Sequence, residues 1–215
     1  MQKITKLFHI YFFMLVTISV SCSISCANST FYEHKVSQFK ILSTQKNKHI
    51  AMLGDSITSR ALWCELLSRS DISNRGIDGD SVENLFDRLG ILNKNLRQVF
   101  IMIGINDILK GKNAQEVFDD YKKIINLLER KNLKIVLQST LYIAKHAPKQ
   151  YNENVKKLNN LLQGLALRSK LQYLNLNKIF APNGFLLEQY SLDGLHLNGE
   201  AYVKWTKSLK PLLIK

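Results

Sequence analysis

The apolar positions of this chain fall into two patterns: short continuous runs, and longer stretches with apolar residues three and four apart. The runs cover 49–54, 71–76, 98–103, 133–138 and 171–176, and Gln98-Val-Phe-Ile-Met-Ile103 is the clearest. Runs of this length bounded by Gly, Asn and Asp read as strands buried on both faces. The helical spacing predicts helices over Ser59 to Ser68, through Val82, Leu85, Phe86 and Leu89, over Ala114 to Arg130, over Tyr151 to Leu167 and over Gly199 to Leu213. The third has the fullest stripe, with Val117, Phe118, Tyr121, Ile124, Ile125 and Leu128. Strands alternating with helices, through connections long enough to cross over, predict one α/β domain: a five-stranded parallel sheet with helices on both faces.

The start of the chain reads differently. Lys3 and Lys6 precede an apolar stretch from Leu7 to Val20, too short for the roughly 20 residues that cross a bilayer. A basic start, a short apolar stretch and the small residues Ser25-Cys-Ala27 predict a secretory signal peptide over 1–27 and an extracytoplasmic protein. Cys22 and Cys26 each follow a small residue, which leaves lipid anchoring open. Residues 28–48 are polar with scattered apolar points and read as a lead-in segment, and 49–215 as the domain itself.

With 215 residues, 46% hydrophobic and 22% charged, the chain has the composition of an ordinary globular protein. Its formal charge of +13 would fall by two with the signal's lysines and stay strongly basic. Such a surface suits an anionic envelope or plain solubility. Lysines such as Lys122, Lys123, Lys156 and Lys157 are scattered without the aromatic interleaving of a single-strand groove, so no nucleic-acid partner is expected.

The chemistry centres on Gly54-Asp55-Ser56. A serine at the turn from strand to helix sits where α/β sheets bind ligands and near free helix N–H groups that favour an oxyanion. Ser56 is therefore the candidate nucleophile, and a serine needs a base. Of five histidines, His9 lies in the signal, His34 in the lead-in and His49 at the wrong end of a strand. His146, after the fourth strand, is topologically allowed. His196 alone has a carboxylate, Asp193, three residues before it, close enough to fix its tautomer. Taken alone, Asp193-Gly could be a mere turn. Oxyanion donors are offered by the Ser56 N–H, the Gly76 N–H and the Asn106 side chain; Gly76 alone could be a strand terminator and Asn106 a turn residue. Gly79-Asp80-Ser81 repeats the Gly-Asp-Ser triplet, but Asp80-Ser-Val-Glu83 fits a helix capping box, so Ser81 is read as structural.

Gly54-Asp-Ser56-Ile, Asn74-Arg-Gly76, Gly104-Ile-Asn106-Asp107 and Asp193-Gly-Leu-His196 together resemble, in order, the four blocks of the SGNH or GDSL-type esterases and lipases. Within that family the runs 75–80 and 100–107 look most similar to platelet-activating-factor-acetylhydrolase-like and sugar acetylesterase members. The resemblance implies a flavodoxin-like three-layer α/β/α fold, with Ser56 as nucleophile, His196 as base and Asp193 as its partner. It also implies an oxyanion hole of Ser56, Gly76 and Asn106.

The resulting expectation is an exported carboxylic-ester hydrolase that removes acetyl or other short acyl groups through an acyl-Ser56 intermediate. Its substrate would be a small-molecule or carbohydrate ester, with Tyr142, Tyr190 and the loop over 141–150 shaping the pocket. Alternatives are an O-acyltransferase with a sugar acceptor, a lysophospholipase-like lipid esterase and a non-catalytic envelope-binding module. The chain has no H-E-x-x-H, C-x-x-C pair, Walker loop or G-x-G-x-x-G, so neither metal nor other cofactor is expected.

Overall fold

The computed structural model describes residues 30–215, so the signal and lipidation expectations over 1–27 lie outside the described residues. The chain divides into two compact units, one ending at Gln38 and one running from Phe39 to Lys215. The described part of the first, 30–38, is helical; the same helix (α1) continues to 42. Among the described residues no helix is long and apolar enough to cross a membrane.

The second unit is built on five parallel strands: β1 (Ile50–Gly54), β2 (Ile72–Gly76), β3 (Gln98–Met102), β4 (Lys134–Gln138) and β5 (Gln172–Leu174). Their order across the sheet is β2-β1-β3-β4-β5. All five residues of β1 and of β3 are buried, as expected of strands covered on both faces. Gly54 stands level with Gly76 on one side and Met102 on the other. From β1 the chain goes to β2 on one side, then crosses back to β3 on the other. The crevice between the carboxyl ends of β1 and β3 is therefore a topological switch point, where ligands of such sheets bind.

The helices follow the apolar stripes where the signals are local. Helix α6 (Ala114–Arg130) buries the six stripe residues, and Asn113 and Glu116 close a capping box at its start. Helix α7 (Lys149–Arg168) carries Val155, Leu158 and Leu162 into the core. Helix α9 (Gly199–Leu209) is shorter than its stripe, and Pro211, which cannot donate to a helical ladder, sits in a closing 3₁₀ turn.

Two expectations are corrected. The segment read as one helix over Ser59 to Ser68 is two short helices, α2 (Ser56–Ser59) and α3 (Trp63–Leu67). The Asp55 side chain caps α2 from the front, and carbonyls freed at the break find partners elsewhere. Asn74 Nδ2 donates to Ser59 O and Ala61 O at 2.8 and 3.1 Å, and Trp63 Nε1 to Thr58 O at 2.9 Å. The second concerns α4 (Val82–Asp87), whose N-cap is Ser81, accepting from Asn84 N–H at 3.2 Å. Asp80 does not cap it, because its carboxylate is drawn into a buried pair with Arg88, at 2.6 Å.

Candidate active site

The switch point brings together residues far apart in the chain. Ser56 is the first residue of α2, two past the end of β1, and is 6% exposed. Its Oγ lies 2.9 Å from His196 Nε2. His196 Nδ1 lies 2.6 Å from Asp193 Oδ2. An ionised carboxylate only accepts hydrogen bonds, so this contact places the ring hydrogen on Nδ1 and turns the free pair of Nε2 toward the Ser56 hydroxyl.

Asp193 also organises the turn that holds it. Its Oδ1 accepts the backbone N–H groups of Leu195 and His196 at 3.0 and 2.8 Å. The Ser191 hydroxyl donates to the same oxygen at 3.3 Å and accepts the Gly194 N–H at 2.9 Å. Partial desolvation pushes the Asp193 carboxyl up, but hydrogen bonds from the His196 ring and from the His196 and Leu195 N–H groups together hold it well below the usual carboxylate range. Gly194 has φ +78°, and a Cβ there would meet Ala144 Cβ at 2.6 Å, so the turn needs glycine on both counts. Its carbonyl accepts Ala144 N–H at 2.8 Å, which docks the Asp193–His196 turn on the loop after β4. His146 stands on that same loop, but the partner of Ser56 is His196.

The oxyanion candidates are held from below. Gly76 packs against the turn carrying Ser56 so closely that a Cβ would lie 2.3 Å from Ser59 N and 2.8 Å from Asp55 O. Its N–H donates to Asn74 Oδ1 at 3.0 Å, so that donor already has an acceptor. Asn106 follows β3 on α5 (Ile105–Leu109) and donates one amide hydrogen to Asp80 O at 3.0 Å. That bond fixes the amide plane and leaves a second hydrogen to give.

Beneath these residues lies a buried charged layer. Arg88 donates to Asp80 through two nitrogens, at 2.9 and 2.6 Å, and to Gly54 O at 3.2 Å. Asp107 accepts the Val82 N–H at 3.0 Å and so caps α4 from outside. Asp55 Oδ1 accepts Ile57 N–H at 3.0 Å, while its Oδ2 is buried without a hydrogen-bond partner. Burial pushes the Asp55 carboxyl up to about 7, reinforced by the charges of Asp80, Asp107 and Asp78. Phe39 lies against both nearby guanidiniums, 4.9 Å from Arg75 and 5.8 Å from Arg88. The roles of Asp55, Asn74, Asp107 and Ser191 were not read from the sequence. Asp55, Asn74 and Asp107 stand inside recognised blocks, but only the folded chain shows what they touch.

Tyr190 packs edge-on against Phe180 at 5.4 Å, with its hydroxyl accepting from Lys204 at 2.9 Å. Tyr142 lines a cleft between α7 and β5 that none of Ser56, Asp193 or His196 borders. Among the described residues no group of three or more His, Cys, Asp or Glu side chains is arranged to hold a metal.

A family model described as the GDSL-like lipase/acylhydrolase family matches residues 52–204, and the chain belongs to that family. Among curated relatives, the N-acylneuraminate cytidylyltransferase of Streptococcus agalactiae serotype V is 27% identical over 175 residues, 81% of this chain and 40% of that protein. The chain thus spans about 40% of the length of the first relatives it matches. Platelet-activating factor acetylhydrolase IB subunit alpha1 of Bos taurus is 25% identical over 183 residues, covering 80% of this chain and 78% of that one. A solved structure from Streptococcus pneumonia, named for platelet activating factor, superposes with a TM-score of 0.83 at 26% identity, covering 92% of this chain and 99% of that one.

Proposed function

We propose that this protein is a serine ester hydrolase acting on acetyl and other short acyl esters. The observation that carries the reading is the unbroken line from Ser56 Oγ to His196 Nε2 at 2.9 Å and from His196 Nδ1 to Asp193 at 2.6 Å. His196 accepts the Ser56 proton as Oγ attacks the ester carbonyl carbon. The carbonyl oxygen becomes an oxyanion, met by the Ser56 N–H and the second amide hydrogen of Asn106, with the Gly76 N–H, which also serves Asn74 Oδ1 at 3.0 Å, as the third donor. One such donor is worth on the order of 10²–10³ in rate. The tetrahedral centre collapses, the carbon–oxygen bond to the alcohol breaks, and His196 returns the proton to the leaving alkoxide. Water then repeats the sequence on acyl-Ser56, releasing the acid and restoring the hydroxyl.

Preference for a short acyl group is supported by relatives named acetylhydrolases at 25% identity. The substrate is a carbohydrate or other small-molecule ester, in keeping with runs at 75–80 and 100–107 that resemble both sugar acetylesterase and platelet-activating-factor-acetylhydrolase-like members. The pattern over 1–27 supports export, with lipid anchoring through Cys22 or Cys26 as its variant.

Steady-state hydrolysis of p-nitrophenyl acetate, butyrate and octanoate tests the reading. Turnover should depend on Ser56 and fall with chain length; a preference for octanoate would overturn the short-acyl assignment.

A further inference from the structure

A cleft of about 530 Å³ lies between α7 and the edge strand β5. In the order β2-β1-β3-β4-β5, β5 stands three places from β1, so roughly 14 Å of sheet separates it from the strand that carries Ser56. Lys156, Asn160 and Gln163 recur at helical spacing along one face of α7 and line one wall. Tyr173 and Asn175 line the other, with Lys178 from the short helix α8 (Asn177–Phe180) at its end.

Three features distinguish this cleft from an ordinary surface hollow. No carboxylate lines it, and neither Lys156 nor Lys178 has an acidic partner among the described residues. Its walls are rich in carboxamides, each offering donors and acceptors side by side. At its floor, Asn159 is only 9% exposed; its Nδ2 donates to Thr140 O at 2.8 Å while its Oδ1 has no partner. That acceptor is closed to solvent as well as unpaired, so a ligand hydroxyl meets it only once the Asn159 amide shifts toward the cleft.

We infer that this cleft binds a segment of an anionic glycan, a saccharide chain bearing carboxylates. The carboxamides match sugar hydroxyls, the ring faces of Tyr142 and Tyr173 match the apolar C–H faces of a sugar, and the two lysines meet the carboxylate. Tyr142 and Asn175 lie just past the carboxyl ends of β4 and β5, the end of the sheet at which Ser56 stands. A chain held here and extending along that end presents an acylated unit several places further on to Ser56. In this the inference rests on the esterase reading, while binding in the cleft does not depend on it.

The test titrates the Ser56→Ala protein with an oligogalacturonate and, separately, with a neutral xylo-oligosaccharide, read by calorimetry. Saturable binding of the oligogalacturonate is expected, weaker by about fivefold or more in a Lys156→Ala/Lys178→Ala variant. The same two lysine substitutions in active protein should leave p-nitrophenyl acetate hydrolysis unchanged. No saturable binding, undiminished binding in the lysine variant, or equal affinity for the neutral oligosaccharide would each overturn the inference. A native protein inactive on p-nitrophenyl acetate would instead defeat the esterase reading, and the titration would still decide the cleft.

Discussion

Tyr202 donates its hydroxyl to the carbonyl oxygen of Ile57 at 2.7 Å, a bond between residues 145 apart in sequence. It ties α9, the helix that follows His196, to the turn that carries Ser56. One buried side chain thereby links the two halves of the nucleophile–base pair directly. Trp63 reinforces the joint, meeting Trp205 of α9 edge-on at 4.9 Å. Tyr202→Phe keeps the ring and removes only that bond. It should cost about 1 kcal/mol in denaturant unfolding and lower kcat several-fold with KM nearly unchanged.

Gly76 should tolerate no side chain. A Cβ there meets the backbone of Ser59 and Asp55, which cannot rotate aside. Gly76→Ala should lose at least about 1–3 kcal/mol of stability and most of its activity. Gly79→Ala is the control: φ is +77°, but nothing lies within 4 Å, so it should cost about 1–2 kcal/mol with turnover retained. Thermal unfolding with ester hydrolysis on the same samples separates the two.

Asp55 gives a pH signature. Its carboxyl is raised from 3.8 to about 7 in the folded protein, so between those values the folded state holds a proton that the unfolded state has released. The stability it contributes is full below about pH 4 and is lost as the pH rises through about 7. Asn is also a good N-cap, so Asp55→Asn keeps the acceptor for Ile57 and removes the titration. The variant should gain stability relative to the native protein as the pH is raised from 5 to 8 (a window set by the approximate value of 7). Parallel melting curves with pH check this; a constant difference would contradict it.

How legible the chain is depends on how local each signal is. Helix α6 carries its stripe and its cap, Asn113, within its own residues, and its bounds are readable from them. The break between α2 and α3 is not, because the groups replacing the helical ladder include Asn74, from the neighbouring strand. The helix over 30–42 went unread for a related reason: of its apolar residues Phe39 is buried, while Ile41 is 75% exposed, so no clear stripe forms. Asp193 and His196 can be paired by eye since one turn of chain joins them. The parts played by Ser191 on Asp193, by Asp107 on α4 and by Phe39 on two arginines need the packed molecule.

Ser81 is the sharpest internal control for the nucleophile. It sits in the same Gly-Asp-Ser triplet, but its oxygen accepts Asn84 N–H as a helix cap. Ser81→Ala should lose about 1 kcal/mol of stability and keep nearly full turnover, whereas Ser56→Ala should be folded and inactive.

The most direct measurement is to react the protein with a fluorophosphonate, digest it, and locate the adduct by mass spectrometry. One modified residue is expected, Ser56, with activity lost in proportion to labelling and no labelling of the His196→Ala variant. An adduct on Ser81, or labelling of Ser56 that leaves hydrolysis intact, would contradict that expectation.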